Sequence, residues 1–215
     1  EGIIEKMDMP FFNSLSYAGK IIYLSRLDRG MTYLMLDKIK AELYVIGADN
    51  KKKVDTIVVL GRVKGDAMNT VKIKKDPNTY GTTPARIYRL SYNVSDEMKA
   101  EFGDKVIWMD TGLDDDPSLC IHPILPGEFK KRMKAIESPE PNDNRESWGC
   151  VNATNIEELR SYIAEGTEFV VLPDRDDANN EYWLDPDMGS IEKVGEGESE
   201  YTDLLTKIEE YATIA

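Results

Sequence analysis

Hydrophobic residues in the first half of the chain occur in short runs that turn residues interrupt. From Met31 onward the runs are rich in β-branched and aromatic residues and are bounded by Gly, Asp, Asn and Pro, which is typical of short β-strands. No glycine-rich loop opens a helix, and strands do not alternate with helices, which argues against a nucleotide-binding fold. We therefore predict a mainly β fold, a sandwich or barrel with peripheral helices, whose first six strands are MTYLML, AELYVIG, TIVVLG, TVKIKK, ARIYRLSY and KVIWMD.

The two ends of the chain differ from this β-rich part. Residues 1–30 mix apolar and basic positions at helical spacing and stop at Gly30. Residues 174–215 are acidic and rich in loop-forming residues until YTDLLTKIEEYATI, which has the spacing of an amphipathic helix. We expect one elaborated domain over residues 31–173, preceded by an N-terminal extension and followed by an acidic extension with a terminal helix.

Two further helices are predicted inside the β-rich part. The first spans residues 128–136, within a long excursion over residues 123–146 whose second half is rich in Pro, Asn and Asp. The second is NIEELRSYIAE, for which Thr154 and Glu157 have capping-box spacing, and which Gly166 can end in a left-handed conformation. The strand TEFVVLPD follows this helix.

The charge balance disfavours one class of partner. The chain has 27 Lys and Arg against 40 Asp and Glu, a formal charge of −13, so it lacks the positive field that nucleic-acid binding exploits. No stretch approaches the roughly 18 apolar residues of a membrane span. The chain begins with Glu1 and shows no export signal, so the sequence leaves the compartment open. Its two cysteines cannot form a disulfide scaffold, and each is judged by its neighbours.

Cys150 and His122 are the candidates for chemistry. His122 is the only histidine, so an enzyme of the Cys-His type would use it to accept the thiol proton. Gly149 lets the backbone approach a ligand closely, and the amides around the Gly149–Cys150 bond can point at one oxygen, as an oxyanion hole requires. A single Cys and a single His in an apolar strand are also common core residues, and the sequence leaves this alternative open.

The order of these landmarks resembles the catalytic domain of the L,D-transpeptidases, the YkuD-type fold. That family's signature is a strand ending in Ile-His, a connection, and Ser-X-Gly-Cys followed by an apolar residue and Arg or Asn. This chain has Ile121-His122 and then SWGCVN at residues 147–152. The family's first hairpin is resembled by KIKAELYVI and TIVVLGR. A family strand that begins with Thr-Pro is resembled by GTTPARIYRL, and the family's helix and final strand are resembled by NIEELRSYIAEGTEFVVL. The resemblance covers roughly residues 31–173.

The resemblance implies a peptidoglycan cysteine acyltransferase that needs no cofactor or metal. In the family the cysteine attacks a carbonyl of a stem peptide, usually at the L-centre of diaminopimelate, expels D-alanine and passes the acyl group to an amine. Stem peptides would be the substrates, carbapenem-type β-lactams the inhibitors, and the cell envelope, periplasm or exterior the location. The implied nucleophile is Cys150, the implied base is His122, and the residues implied to shape the site are Gly149, Ser147, Trp148 and Asn152.

Several features depart from the family or leave alternatives open. Trp148 stands where the family commonly has His, and Pro123 follows the histidine where a small residue is frequent. The 24 residues between His122 and Ser147 exceed the length in many relatives. We predict that they form a lid with one helical face toward the substrate and with its basic residues meeting substrate carboxylates or solvent. The predicted substrate-facing residues are Phe129, Met133 and Ile136.

Other cysteine-containing sites fit the sequence less well. Papain-like enzymes place Cys before His, and a chymotrypsin-like pair needs more intervening strands than this chain provides. A zinc site of Cys120, His122 and Cys150 lacks a fourth ligand. Within the resembled fold, an L,D-carboxypeptidase, in which water takes the acyl group, and a non-catalytic wall-binding relic share the same motif residues.

Overall fold

The fold is taken from a computed structural model. It describes residues 2–66, 68, 75–76, 81–114, 116–174, 182–184, 191–193 and 200–214, and within the last three segments it describes side chains for 203–210 only. Residues 70–74 of the predicted strand TVKIKK, and most of the acidic stretch after residue 174, lie outside the described residues.

Eight strands form one sheet, in the order β3-β2-β1-β10-β5-β6-β7-β9. Neighbours are antiparallel except for the β1–β10 and β7–β9 pairs, which are parallel. β4 and β8 form a separate parallel pair, and β11 and β12 a separate antiparallel one. The strands are β1 (Tyr33–Asp37), β2 (Glu42–Ile46), β3 (Lys52–Ile57), β4 (Leu60–Gly61), β5 (Arg86–Ser91), β6 (Ile107–Asp110), β7 (Cys120–His122), β8 (Arg145–Ser147), β9 (Val151–Asn152), β10 (Glu168–Val171), β11 (Tyr182–Leu184) and β12 (Ile191–Lys193).

The large sheet curls until its two ends meet. β3 and β9 lie at opposite ends of the strand order, yet Val59, just after β3, bridges Asn152 in β9. The Val59 N–H donates to the Asn152 carbonyl at 3.0 Å, and the Asn152 N–H donates to the Val59 carbonyl at 2.8 Å. The predicted β-rich fold with peripheral helices is thereby confirmed, although a single curled sheet with several helices makes the class mixed α/β rather than mainly β.

Six α-helices lie in the described part of the chain, and three of them begin with a side-chain cap. The carboxylate of Asp8 and the hydroxyls of Ser16 and Ser95 each accept a backbone N–H from the first helical turn. The helices are α1 (Met9–Ser14), α2 (Tyr17–Ser25), α3 (Asp96–Phe102), α4 (Phe129–Glu137), α5 (Ile156–Tyr162) and α6 (Glu200–Ile214).

The helices predicted near residues 128–136 and 201–214 are confirmed as α4 and α6, but the cap expected for α5 is wrong. Its N-cap is Asn155 rather than Thr154, and the Asn155 side chain makes no capping bond because it contacts Thr56 and Glu158 instead. Gly166 does adopt a positive φ, +83°, after the helix.

Both faces of the central strands are buried. Along β1, Leu34 and Leu36 point into the core enclosed by the curled sheet, while Tyr33 and Met35 point outward into a second core. β2 and β10 alternate in the same way. Helices α1, α2 and α6 contribute most of the remaining outer core, so the N-terminal segment over residues 2–30 covers this face of the sheet. Burial on both faces explains why these strands read as continuous hydrophobic runs.

A buried ionic network ties the loop after β4 to the sheet and to β8. The fully buried ammonium of Lys38 donates at 2.7 Å to the Asp66 carboxylate and at 2.7 Å to the Thr83 carbonyl. The Asp66 carboxylate also accepts the Asp174 N–H at 2.7 Å. The Asp174 carboxylate in turn binds the Arg145 guanidinium at 2.7 Å. These contacts hold Thr83 in place, which matters for the site described below.

We expect Lys38→Met to lower the free energy of unfolding by about 3–5 kcal/mol, because it leaves the buried Asp66 carboxylate without its ammonium partner. Lys53→Met is the matched control, since Lys53 pairs with Asp49 at the surface and such pairs contribute roughly 0–1 kcal/mol. Urea unfolding of the two variants measures both effects. Equal losses in the two variants would contradict this role for the network.

Candidate active site

The pairing of β7 with β9 brings the candidate residues together. The parallel register aligns Ile121 with Val151 and His122 with Asn152. Ile121 and Val151 belong to the inner core, so the side chains one position away point to the opposite face of the sheet. Continued by one residue, the register also sets Cys120 opposite Cys150. The thiols of Cys120 and Cys150 contact each other, and Cys150 also contacts His122. These three side chains and Asn152 form the candidate site.

The imidazole of His122 is buried and held on several sides. Its Nδ1 lies 2.7 Å from the Pro123 carbonyl oxygen, and because a carbonyl only accepts, Nδ1 carries the proton. The Asn152 Nδ2 lies 3.1 Å from Nε2 and 3.5 Å from Nδ1. In-plane hydrogen bonds at the two ring nitrogens point in different directions. An amide nitrogen that is close to both ring nitrogens therefore lies above the plane of the ring. The Phe102 ring packs against the imidazole at a centroid distance of 4.7 Å, with the two rings tilted by 31°. Because Nδ1 is occupied, Nε2 is the ring nitrogen left for the hydrogen bond with the Cys150 side chain.

The thiol of Cys150 is the acidic member of this group. Hydrogen bonding from Cys120 holds the pKa of Cys150 well below its usual range, against the opposing effect of burial, and the hydrogen bond and charge of His122 lower it further. The same contact with Cys150, together with burial, raises the pKa of Cys120. Of the two thiols, Cys150 is therefore the one that ionises first. A thiolate with an adjacent imidazole is a strong nucleophile for carbonyl carbon.

The Cys120 thiol has a second acceptor near by. Its Sγ lies 3.4 Å from the Ser118 carbonyl oxygen, and its single proton cannot serve both this oxygen and Cys150. A charged acceptor binds a donor more strongly than a neutral one, so the thiolate of Cys150 receives the proton's hydrogen bond when it is ionised. Sequence analysis considered Cys120 only as a ligand of the disfavoured zinc site, because its contact with Cys150 depends on the pairing of two strands far apart in the chain.

The turn before Cys150 fits only glycine at position 149. Gly149 has φ +128°, and a Cβ there would lie 2.6 Å from the Thr82 carbonyl oxygen. The Thr83 hydroxyl donates to the Gly149 carbonyl at 2.8 Å. The Ser147 hydroxyl donates to the Cys150 carbonyl at 2.5 Å and accepts the Gly149 N–H at 3.1 Å. Ser147 thus closes the turn, and the Gly149 amide expected in an oxyanion hole is bound to Ser147.

A cleft of about 450 Å³ opens beside Cys150. One wall is α3, through Met98, Glu101 and Phe102, and Trp148 forms part of another wall. The Trp148 side chain is 62% exposed, and the Arg62 guanidinium lies 5.9 Å from the centre of its ring. The residue that replaces the family's second histidine is therefore an exposed aromatic surface at the mouth of the cleft.

Helix α4 contacts the site through Arg132, one of the basic residues that the sequence analysis expected to meet substrate carboxylates or solvent. Arg132 donates a hydrogen bond to the Asn152 side-chain oxygen, which turns the Asn152 Nδ2 toward His122. Phe129 is 55% exposed, and none of the three residues predicted to face the substrate is among those that line the cleft beside Cys150. That these three residues face the substrate therefore stays a prediction, while the contact of Arg132 with Asn152 and the buried Ala135 orient the helix.

The second half of the excursion is anchored in the core rather than loose. The buried Asn144 amide donates to the Val58 carbonyl at 3.0 Å, and Arg145 joins the network of Asp174. β8 then pairs with β4, so this Pro-, Asn- and Asp-rich segment carries two structural side chains and a strand. The sequence PNDN forms a 3₁₀ turn, Pro141–Asn144, in which Asn144 is buried.

The site contains no arrangement typical of a metal centre. Among the described residues, no group of three or more His, Cys, Asp or Glu side chains could hold a metal ion. The described helices include none that is long and apolar enough to cross a membrane.

Comparisons with known proteins give little beyond this geometry. No protein-family model matches the sequence, and no curated protein does. Among solved structures, the chain is similar to one described as "Structure of Bdellovibrio bacteriovorus Bd1075", with 18% sequence identity and a TM-score of 0.42. The match covers 83% of this chain and 55% of that chain, so this chain spans little more than half of that protein's length.

We expect Arg132→Gln to raise the pKa of Cys150, because the charges of Arg132 and Cys150 attract each other in the partly buried site. The pH midpoint for alkylation of Cys150 by iodoacetamide, followed by mass spectrometry, should move upward. Lys131→Gln is the matched control, since Lys131 is adjacent but exposed and pairs with Glu146 at 2.8 Å. An unchanged midpoint in Arg132→Gln, or the same shift in both variants, would contradict the assignment.

Proposed function

We propose that this chain is a cysteine acyltransferase of peptidoglycan stem peptides, an L,D-transpeptidase. The observation that carries the proposal is the Cys150 thiolate beside His122 on paired strands, together with the order Ile-His and Ser-X-Gly-Cys along the chain. The location that goes with this function is the cell envelope, the periplasm or the exterior, where peptidoglycan is found.

The first half of the reaction uses Cys150 and His122 in turn. The Cys150 thiol first gives its proton to Nε2 of His122. The thiolate then attacks the carbonyl at the L-centre of the diamino acid, a C–S bond forms and the carbonyl oxygen becomes an oxyanion. When this intermediate collapses, the C–N bond breaks and His122 gives a proton from Nε2 to the departing D-alanine amine. The Pro123 carbonyl keeps Nδ1 occupied throughout, so proton transfer is restricted to Nε2.

The second half of the reaction restores the thiolate. An acceptor amine enters the cleft, gives a proton to Nε2 and attacks the thioester carbon, and the C–S bond breaks. The carboxylates of Glu97 and Glu101 line the cleft and suit a positively charged amine that approaches Cys150. The exposed ring of Trp148 provides an apolar surface for the stem peptide at the mouth of the cleft.

L,D-carboxypeptidase is the second candidate, and one observation favours it. The cleft beside Cys150 is not lined by the α4 side chains Phe129, Met133 and Ile136, so these residues do not shield an acyl-enzyme from water. Both activities share the nucleophile and the thioester and differ in whether an amine or water attacks it.

We expect the protein to convert purified muropeptides, analysed by mass spectrometry, into cross-linked dimers if an amine accepts the acyl group and into tripeptides if water does. Cys150→Ala should form neither product while keeping the circular dichroism spectrum of the parent, because it removes the nucleophile and little volume. A carbapenem should add its mass to Cys150 in the parent and not in the variant. Absence of both products and of the adduct would leave a binding role and contradict the proposal.

We expect His122→Gln to reduce turnover about 10²–10⁴-fold, because the amide cannot transfer the proton to the leaving amine. In the parent, activity should persist below the usual pKa of a thiol, because the pKa of Cys150 is lowered, and should fall at acid pH as protonation of Cys150 removes the nucleophile. Full activity in His122→Gln would show that another group moves the proton.

A further inference from the structure

Two thiols stand side by side at this site, and they are the only cysteines in the chain. Both are free. The β7–β9 pairing aligns Ile121 with Val151, and when this register is continued by one residue it places Cys120 opposite Cys150, whose side chain it contacts. Neighbouring strands lie about 4.7–4.9 Å apart, and disulfides join residues whose Cα atoms are about 4.4–6.8 Å apart. The backbone therefore already holds the two cysteines at bonding range.

The two thiols differ in their access to solvent. Cys150 is half-buried and forms part of the wall of the open cleft. Cys120 is completely buried. A small oxidant that enters the cleft therefore meets Cys150 first, and the ionised state of Cys150 makes it the more readily oxidised of the two.

We propose that Cys120 and Cys150 form a reversible disulfide when the protein meets a peroxide, with Cys150 oxidised first and Cys120 acting as the resolving thiol. This inference stands on the two thiols alone. If the proposed acyltransferase function holds, the disulfide would also switch the enzyme off by consuming its nucleophile.

The reaction needs only hydrogen peroxide. The Cys150 thiolate attacks one peroxide oxygen, so an S–O bond forms, the O–O bond breaks and hydroxide leaves. The Cys120 sulfur then attacks the sulfur of the Cys150 sulfenic acid, so the S–S bond forms and the S–O bond breaks. The hydroxide that departs takes up the Cys120 thiol proton as water. Two electrons pass from the two cysteines to the peroxide, and a dithiol reductant returns them.

The disulfide should be easy to reduce. Side chains on neighbouring parallel strands leave the sheet side by side, about a strand spacing apart, whereas the Cβ atoms of an unstrained disulfide lie about 3.8 Å apart. Closing the bond therefore pulls the strands together and strains the pairing at the end of the sheet. Strained disulfides have high reduction potentials and are the labile, regulatory ones.

The test is to treat the reduced full chain with a few equivalents of hydrogen peroxide, quench with N-ethylmaleimide in guanidinium chloride, so that buried thiols also react, and measure the intact mass. We expect a loss of about 2 Da with no maleimide adduct, a peptide map that links Cys120 to Cys150, and recovery of both thiols with dithiothreitol. In Cys120→Ser, Cys150 should instead gain about 32 Da as a sulfinic acid that dithiothreitol does not reverse. In Cys150→Ser, Cys120 should stay reduced and take one maleimide.

Three outcomes in the parent protein would overturn the inference: two unreacted thiols, a Cys150 sulfinic acid beside an alkylated Cys120, or a disulfide between two molecules. Each is read from the parent alone, so misfolding of a variant does not affect the decision. No substrate is present, so a reversible internal disulfide in a protein that fails to process muropeptides would refute the acyltransferase function and not this inference.

Discussion

The parallel pairing of β7 with β9 is the constraint on which the rest of the site depends. It sets His122 beside Asn152 and Cys120 beside Cys150 through one register, and a shift of one residue would turn these side chains into the core. The register is held because Ile121 and Val151 are buried in the inner core on the opposite face. The same backbone of Asn152 also bridges Val59, so one short strand closes the curled sheet and carries the site.

The turn that delivers Cys150 to this strand is held by segments far away in the sequence. Thr82 and Thr83 pack against Gly149, and Thr83 is itself held by the buried ammonium of Lys38. The Lys38 network is thus coupled to the position of the nucleophile through two hydrogen bonds. A reactive thiolate needs such rigid support, because the geometry of attack tolerates little displacement.

The excursion between His122 and Ser147 supports the site from the side. Arg132 binds the side-chain oxygen of Asn152, and this orientation leaves the amide nitrogen to lie over the imidazole of His122. The cation also stands near the Cys150 thiolate, which favours the charged form of the sulfur. A segment that is long for the resembled family therefore contributes charge and orientation, while the cleft wall comes from α3.

The sequence by itself determined most of the strands and helices and the pair of Cys150 with His122. Short apolar runs between turn residues indicate strands in any fold, and His122 is the only imidazole available to either cysteine. Only the tertiary structure decided that Cys120 touches the nucleophile and that Arg132, rather than Phe129, faces the site. Both depend on strand register and helix rotation, which are set by packing against residues distant in the chain. Local periodicity indicates which faces an element has, and the neighbours packed against it decide which face meets the site.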